Sequence, residues 1–397
     1  MNNKEIIDLA AQYLTPNYNR QPVALVKGKG AAVWDADGKK YLDFVSGLAV
    51  TGLGHANAGL NKAIARQLSL LTHTSNLYYT EPQALFARDL RAFMPRKGRV
   101  FFCNSGTEAN EAALKLARKF SIEKFAKDRI EIIAFSGGFH GRSMGSLSMT
   151  ADAKYRDGFG PLLPGVKHVP YGDADAAAKA VTKKTCAIIV EPLQGENGVQ
   201  TPKAGFIQKL ARLCAEKKLL LIFDEVQTGF GRTGKMFAFE HFNVKPDIVT
   251  MAKGIAGGLP MGAMYARDDV AALLTPGSHA ATFGGNPAVC AAALATFEEL
   301  KKPGFLENVA EMGRYLLLKL TSLKTSIPAI REVRGMGLMV GLELIFPCAP
   351  AVEKCRELGL LINCAQEKTL RFLPPLTITK AEVDRAVGIV TKALGGR

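Results

Sequence analysis

The chain has 397 residues, 48% of them hydrophobic and 22% charged, which is the balance of an ordinary soluble globular protein. The sequence contains neither a run of about 20 apolar residues nor a signal or transit peptide, so we expect a cytoplasmic protein with no membrane partner. The net charge of +15 is spread along the chain without a basic arm or an aromatic-interleaved basic patch, and we therefore expect no nucleic-acid partner.

The amino-terminal part of the chain has two apolar runs, 32–34 and 41–44, on either side of a turn at Asp37 and Gly38, and this pattern predicts a β-hairpin. Further along, strand-like apolar runs alternate with helical patterns. The strand-like runs are residues 100–103, 132–135, 187–190, 219–223, 248–251 and 263–266. Their alternation with helices predicts an α/β fold with a large, doubly wound, mostly parallel sheet.

A helical pattern over residues 288–300 is followed by Pro303 and Gly304, which mark a natural boundary. After it come a further helix and a strand-like segment at 337–344, and we expect a smaller α+β domain that the amino-terminal hairpin joins. The predicted organisation is an amino-terminal segment 1–50, a large domain 51–300 that binds the cofactor, and a small carboxyl-terminal domain 301–397.

Seven cysteines are scattered along the chain, mostly inside apolar runs and without C-x-x-C spacing. Their odd number and their placement predict reduced and buried thiols. We expect no metal site.

A polar motif, residues 104–110, follows the run 100–103. Within it Ser105 and Glu108 fit a capping box at the start of a helix. Free amide hydrogens and hydroxyls at the positive end of a helix dipole bind phosphate, although the same residues could serve only to cap the helix.

A Gly-rich turn, residues 136–142, follows the run 132–135. Its glycines let the backbone approach a ligand closely, Phe139 offers a flat apolar face for a pyridine ring, and Arg142 can bind a carboxylate bidentately. The alternative is a simple turn with a core phenylalanine and a surface arginine.

Two carboxylates, Glu191 and Glu196, follow the run 187–190, and such a pair suggests general acid/base chemistry. Because arginines are available nearby, Glu196 is better suited to act as a charge partner that competes with an anionic substrate. Arg371 lies among apolar residues and prolines far downstream, where an arginine normally needs a carboxylate.

Asp224 and Lys253 each follow an apolar run at the predicted carboxyl edge of the sheet, where open α/β sheets bind ligands. Apolar neighbours disfavour the charged form of a lysine and make its amine better suited to Schiff-base chemistry. An aspartate at the same edge can keep a pyridine nitrogen protonated, so the pair predicts pyridoxal 5'-phosphate as cofactor. For either residue alone, a simple ion pair between strand ends is the better interpretation.

Together these motifs resemble those of the class III pyridoxal-phosphate aminotransferases, and most closely those of the acetylornithine aminotransferases, over residues 17–394. They occur in family order, at residues 104–110, 139–142, 191–196, 224–234, 252–254, 282–287, 334–337 and 371–376. The resemblance implies a pyridoxal-phosphate transferase of fold type I and a homodimer with shared active sites.

The resemblance also implies a role for each site residue. Lys253 would bind the cofactor covalently, and Asp224 would pair with its pyridine nitrogen. The other cofactor contacts would come from Phe139 and Val226 on the ring faces, Gln227 at the phenolic oxygen, Ser105, Gly106 and Thr107 at the phosphate, and Thr282 from the neighbouring subunit. The substrate contacts would come from Tyr18 at the entrance, from Arg142 and Arg371 at carboxylates, and from Glu196 as the switchable partner of Arg371.

The implied reaction moves the δ-amino group of N2-acetyl-L-ornithine to 2-oxoglutarate, giving N-acetyl-L-glutamate 5-semialdehyde and L-glutamate, a step of arginine biosynthesis. Leu48 stands where ornithine aminotransferases carry a tyrosine, which favours an N-acylated donor, whereas Ala281 replaces a usual serine and leaves the acyl group open. The alternatives are a succinylornithine, succinyldiaminopimelate, ornithine or 4-aminobutyrate donor, a glutamate-1-semialdehyde-type aminomutase, and a non-catalytic phosphate-binding protein.

Overall fold

The structure, a computed structural model, describes residues 1–395. Fifteen strands lie in this part of the chain: β1 (Leu25–Lys29), β2 (Ala32–Asp35), β3 (Lys40–Asp43), β4 (Gly98–Cys103), β5 (Glu131–Phe135), β6 (Val166–Val169), β7 (Thr185–Val190), β8 (Leu220–Asp224), β9 (Ile248–Met251), β10 (Gly262–Arg267), β11 (Ile330–Met336), β12 (Met339–Leu344), β13 (Leu360–Leu361), β14 (Asn363–Ala365) and β15 (Thr369–Phe372).

The same residues form fourteen α-helices: α1 (Asn3–Tyr13), α2 (Ser46–Ala49), α3 (Ala58–Leu70), α4 (Glu81–Ala92), α5 (Gly106–Lys124), α6 (Met144–Met149), α7 (Ala153–Arg156), α8 (Ala174–Ala180), α9 (Phe206–Lys217), α10 (Asp268–Ala271), α11 (Pro287–Leu300), α12 (Phe305–Ser322), α13 (Ala349–Glu357) and α14 (Lys380–Ala393). Short 3₁₀ helices cover Ala238–Phe242, Lys253–Ala256 and Leu323–Thr325. Within residues 1–395, no helix combines the length and the apolar character that crossing a bilayer requires.

Seven strands form the large sheet, in the order β4-β10-β9-β8-β7-β5-β6. Only β10 runs against the others, since it pairs antiparallel with both β4 and β9. Every residue of β7, β8 and β9 is buried, as is usual for parallel strands covered by helices on both faces. The predicted α/β fold with a mostly parallel sheet is therefore confirmed, and all six strand-like runs lie in this sheet.

Two four-stranded sheets lie outside the large one. The first has the order β1-β2-β3-β13 and contains the predicted hairpin, whose strand β3 pairs with β13 through Leu42 and Leu360. The second has the order β11-β12-β15-β14 and carries Arg371 on β15, opposite Asn363 of β14. The hairpin thus pairs with a strand from the carboxyl-terminal part of the chain, while the division into a segment 1–50 that joins a small domain, a large domain 51–300 and a small domain 301–397 remains a prediction.

The cysteines correct one expectation. Five of them are buried free thiols, but Cys348 and Cys364 form a disulfide, so the prediction of reduced thiols is wrong for this pair. Cys348 directly precedes α13, which packs beside the strand β14 that carries Cys364. The two sulfurs are brought together by this tertiary contact, which no local sequence pattern encodes.

Candidate active site

The carboxyl edge of the large sheet carries the aspartate and the lysine that the sequence singles out. Asp224 is the last residue of β8 and pairs with Thr250 of β9, and Lys253 follows the end of β9 by two residues. The backbone of Lys253 has a φ of 49°, in the left-handed region that a side chain rarely adopts. Both residues line a cavity of about 410 Å³, which is large enough for a small cofactor.

Asp224 is buried and bound by three neighbours. Its Oδ2 lies 2.8 Å from both Asn110 Nδ2 and His140 Nδ1, and its Oδ1 accepts a hydrogen bond from the Val226 amide at 3.0 Å. Because a carboxylate can only accept, Nδ1 of His140 carries the proton in this contact. Three donors fix the orientation of the carboxylate, which suits a group that pairs with a protonated pyridine nitrogen.

The amine of Lys253 has a lowered pKa. Burial lowers the pKa of the amine, and the nearby positive charge of Arg371 lowers it further, against the attraction of the surrounding carboxylates. The pKa lies below the ordinary lysine value, so a larger fraction of the amine is neutral at physiological pH. A neutral amine is the form that attacks an aldehyde.

The start of α5 forms one corner of the cavity, lined by Ser105, Gly106 and Thr107. Ser105 caps the helix, since its Oγ accepts a hydrogen bond from the amide of Glu108 at 3.3 Å. The predicted capping box is only half formed, because the Glu108 carboxylate accepts from the amide of Asn104 instead of that of Ser105. The first amides of the helix have no intrahelical acceptor and remain available to a phosphate.

The turn that carries Arg142 is fastened to the start of α5. Thr107 Oγ1 accepts hydrogen bonds from the amides of Arg142 and Ser143, at 3.2 Å each. The guanidinium of Arg142 lies 4.2 Å from the ring centroid of Tyr155, and none of the salt bridges within residues 1–395 involves it. Its charge is therefore available to a carboxylate ligand, whereas the hydroxyl of Thr107 is already engaged by the protein.

Phe139, Val226 and Gln227 line the middle of the cavity. Two glycines make room for Val226 and Gln227. A Cβ on Gly106 would lie 2.8 Å from Cγ1 of Val226, and a Cβ on Gly195 would overlap Oε1 of Gln227. Both polar atoms of the Gln227 amide are buried, and in the described part of the chain neither has a hydrogen-bond partner. A buried amide without such partners is rare, and its polar atoms are available to a polar ligand in the cavity.

Glu196 and Arg371 form an ion pair between the large sheet and the sheet that contains β15. Nη1 of Arg371 lies 2.7 Å from Oε1 of Glu196, and its Nε donates to Oδ1 of Asn363 at 3.3 Å. Burial alone would raise the pKa of Glu196, but the charges of Arg371 and Lys253 together with the hydrogen bond from Arg371 outweigh it, so the net pKa lies below the usual value. Arg371 is only 1% exposed, and a buried arginine needs this carboxylate or a substrate's carboxylate in its place.

Two predicted site residues lie away from this cavity. Tyr18 is 68% exposed and lines a separate groove beside α1. Thr282 is exposed, and its loop is held in place by Asn76, whose Nδ2 donates to the carbonyls of Ala281 and Gly284 at 3.1 and 2.9 Å. In a single chain neither Tyr18 nor Thr282 lines the cavity. Their proposed roles therefore depend on ligand binding and on a second subunit.

Two residues of the cavity, Asn110 and His140, are given no role by the sequence, and Glu191, which the sequence offers only as half of an acid/base pair, lines the cavity as well. Their positions around Asp224 arise because three separate segments, a helix and two turns, meet at the sheet edge. The signal available in the sequence is only that polar residues stand where a buried element begins or ends.

Replacing Gly195 by alanine tests whether Gln227 contacts the cofactor. The new Cβ would displace the Gln227 amide, and we expect the Kd for pyridoxal 5'-phosphate, measured by equilibrium dialysis, to rise at least about tenfold. Gly388→Ala is the matched control, because Gly388 is an exposed position of α14 with no atom near its added Cβ; this change should leave the Kd unchanged and stabilise the protein by about 0.5–1 kcal/mol. Unchanged binding in the Gly195 variant would exclude Gln227 as a contact.

Comparison with known proteins agrees with this geometry. The family model described as aminotransferase class-III matches residues 13–394. The chain belongs to the class III aminotransferase family. It is 48% identical to the acetylornithine aminotransferase of Methanothermobacter thermautotrophicus, over 98% of each chain.

Solved structures of the family superimpose over nearly the whole chain. The ornithine aminotransferase of Toxoplasma gondii matches with a TM-score of 0.95 at 34% identity, over 99% of this chain and 95% of that one. The acetylornithine aminotransferase of Elizabethkingia anophelis matches with a TM-score of 0.89 at 31% identity, over 99% of both chains. The chain therefore has the fold of these pyridoxal-phosphate enzymes.

Enzymes of this family depend on pyridoxal 5'-phosphate, and the residues of the cavity fit that cofactor. The start of α5 suits the phosphate, the Asp224 carboxylate suits the pyridine nitrogen, and the unpartnered amide of Gln227 suits a ring oxygen. The amine of Lys253 lies in the same cavity for the aldehyde. The protein is a pyridoxal-phosphate-dependent aminotransferase.

Proposed function

We propose that the protein transfers the δ-amino group of N2-acetyl-L-ornithine to 2-oxoglutarate, giving N-acetyl-L-glutamate 5-semialdehyde and L-glutamate in arginine biosynthesis. The observation that carries the proposal is the ion pair between the half-buried Glu196 and the buried Arg371 beside the cavity. One pocket must accept a neutral methylene in one half-reaction and a carboxylate in the other, and an arginine with its own removable carboxylate partner satisfies both. The acetylornithine aminotransferase that is 48% identical to this chain supports the proposal.

Lys253 and Asp224 carry the chemistry in this proposal. When bound, pyridoxal 5'-phosphate supplies an electron sink that stabilises negative charge on the substrate carbon. Asp224 keeps the pyridine nitrogen protonated, which the three donors to its carboxylate support. The Lys253 amine would hold the cofactor aldehyde and, when free, would take the proton from the substrate carbon that bears the nitrogen, a role as a base that its lowered pKa suits.

Two arginines divide the substrate carboxylates between them. Arg142 is exposed and has no carboxylate partner among the salt bridges of residues 1–395, so it binds the carboxylate of acetylornithine and the distal carboxylate of glutamate. Arg371 binds the α-carboxylate of glutamate, which displaces Glu196. When acetylornithine is bound, Glu196 returns and neutralises the buried guanidinium, so no unpaired charge faces the methylene.

The proposed homodimer completes the site. Thr282 reaches the phosphate of the partner subunit's cofactor, while Tyr18 lines the substrate entrance. The apolar side chains at 77–79 are exposed in the single chain and follow Asn76, which fastens the loop that carries Thr282. An exposed apolar run next to this loop supports a subunit interface there. A cytoplasmic location likewise stays a prediction.

A panel of amine donors with 2-oxoglutarate tests the proposed substrate. We expect kcat/KM for N-acetylornithine to exceed that for free ornithine by at least about tenfold, because Leu48 offers no polar group to a free α-amino group. Succinylornithine, succinyldiaminopimelate and 4-aminobutyrate complete the panel, since an acyl group is recognised by shape. A higher kcat/KM for ornithine than for its acetyl derivative would contradict the proposal. Turnover of glutamate-1-semialdehyde without 2-oxoglutarate would indicate an aminomutase instead.

A further inference from the structure

Glu191 lines the cofactor cavity, yet none of the roles above uses it. It directly follows β7, and its Oε1 accepts a hydrogen bond from the amide of Phe139 at 3.2 Å. Its Oε2 is buried and has no hydrogen-bond partner anywhere in residues 1–395. A buried carboxyl oxygen without a partner, in the wall of a ligand cavity, calls for a partner that the ligand brings.

The second observation is that Glu191 shares its surroundings with the carboxylate of Asp224. One oxygen of each, together with a ring nitrogen of His140, lies within 4.8 Å of the others. Two carboxylates so close in a buried site disfavour each other's ionisation, and the one with fewer donors is the more readily protonated. Asp224 has three donors, whereas Glu191 has one long bond from a backbone amide.

The charges on the other elements around Glu191 do not change which of the two carboxyl groups, Glu191 or Asp224, is protonated more readily. Burial raises the pKa of the Glu191 carboxyl well above its usual value, and the charge of Asp224 raises it further. Glu196 on the following loop acts in the same direction, and Lys253 after β9 opposes it. The charge of Lys253 is therefore outweighed by burial and by two carboxylates.

We propose that Glu191 is a positioning residue that stays a neutral carboxylic acid in the cofactor site, with Oε1 holding the Phe139 amide and the hydroxyl at Oε2 donating a hydrogen bond to the bound cofactor. The pair of acids then carries a single negative charge, located on Asp224, opposite a single protonated pyridine nitrogen. Glu191 also fixes the backbone of Phe139, whose ring lines the same cavity. This inference rests on the proposed cofactor contacts of the site.

Two substitutions of similar size separate a neutral acid from a carboxylate. Glu191→Gln keeps an acceptor for the Phe139 amide and a donor toward the cavity, and removes only the possibility of a charge. Glu191→Leu removes both hydrogen bonds. In full-length protein loaded with pyridoxal 5'-phosphate and examined by equilibrium dialysis, we expect the Kd of the Gln variant to stay within about threefold of wild type, and that of the Leu variant to rise at least about tenfold.

The visible absorbance of the bound cofactor provides a readout that a merely structural role would not change. Its pH midpoint should differ by less than about half a unit between wild type and Glu191→Gln, since both carry no charge at this position. A shift of about one unit or more, or a Gln variant that binds as weakly as the Leu variant, would show that wild-type Glu191 is ionised and would overturn the proposal. Wild-type affinity in the Leu variant would overturn it as well.

Glu225 provides the matched control for a buried glutamate. Its two carboxyl oxygens accept hydrogen bonds from Thr228, Ala238 and Phe239, so Glu225→Gln must turn an amide NH₂ toward at least one donor and lower the Tm. Glu191→Gln should leave the Tm unchanged. A borohydride-stable adduct on Lys253 in the wild-type protein tests the proposed function separately, so failure of the Glu191 variants would not be confused with failure of the cofactor assignment.

Discussion

Replacing Lys253 by alanine is expected to lower kcat for amino transfer by at least about 10⁴-fold, because the change removes both the nucleophile and the base. The Lys253 amine lies at the carboxyl edge of the large sheet, in the same cavity as Asp224 and the start of α5. Within the described residues it is the lysine that lines this cavity. Steady-state rates with N-acetylornithine and 2-oxoglutarate measure the loss.

Borohydride reduction followed by peptide mapping locates the covalent link independently of turnover. The adduct should lie on Lys253 in the wild-type protein and be absent from the variant. Lys209→Ala is the control, because Lys209 is an exposed lysine on α9 that does not line the cavity. This variant should keep both the adduct and the rate. An adduct on another lysine would remove the basis of the mechanism.

The second large effect is expected for Arg371→Ala, which should slow the glutamate half-reaction at least about 100-fold and the acetylornithine half-reaction by less than about tenfold. Glutamate loses the partner of its α-carboxylate. Acetylornithine needs no cation at this position, although Glu196 is then left without its ion pair. Single-turnover absorbance changes of the bound cofactor measure each half-reaction separately.

Glu196→Gln changes the same ion pair from the other side. The amide keeps the shape of the side chain but no longer neutralises Arg371, so the acetylornithine half-reaction should slow more than the glutamate half-reaction. The two variants are therefore expected to have opposite selectivity. Equal losses in both half-reactions, in either variant, would mean that the pair stabilises the protein without switching between substrates.

Much of the fold follows from local sequence patterns. The strands β7, β8 and β9 are continuous apolar runs, and runs of this kind are typical of buried parallel strands. The strand β6 is not predicted, because its sequence Val-Lys-His-Val has only two apolar residues and takes its conformation from pairing with β5. The disulfide between Cys348 and Cys364 escapes prediction for a similar reason, since only tertiary packing makes it possible.

The candidate site is predictable to the extent that its residues stand at the ends of recognisable strands and helices. Asp224, Lys253 and Ser105 meet this condition, and the structure places all three around one cavity. Asn110 and His140 do not, because their importance lies in the hydrogen bonds that they donate to Asp224 from two other segments of the chain. Sequence patterns give the position of a residue along its own element, whereas the partners of a buried carboxylate depend on how distant elements meet.

The left-handed backbone at Lys253 has a consequence for engineering. A residue with a side chain costs about 1–3 kcal/mol in such a conformation, and glycine avoids most of that cost. A screen that scores variants only by heat resistance would therefore reward glycine at the position where amino transfer requires an amine. Selection for durability in this enzyme must be coupled to a catalytic assay, or it will enrich inactive proteins.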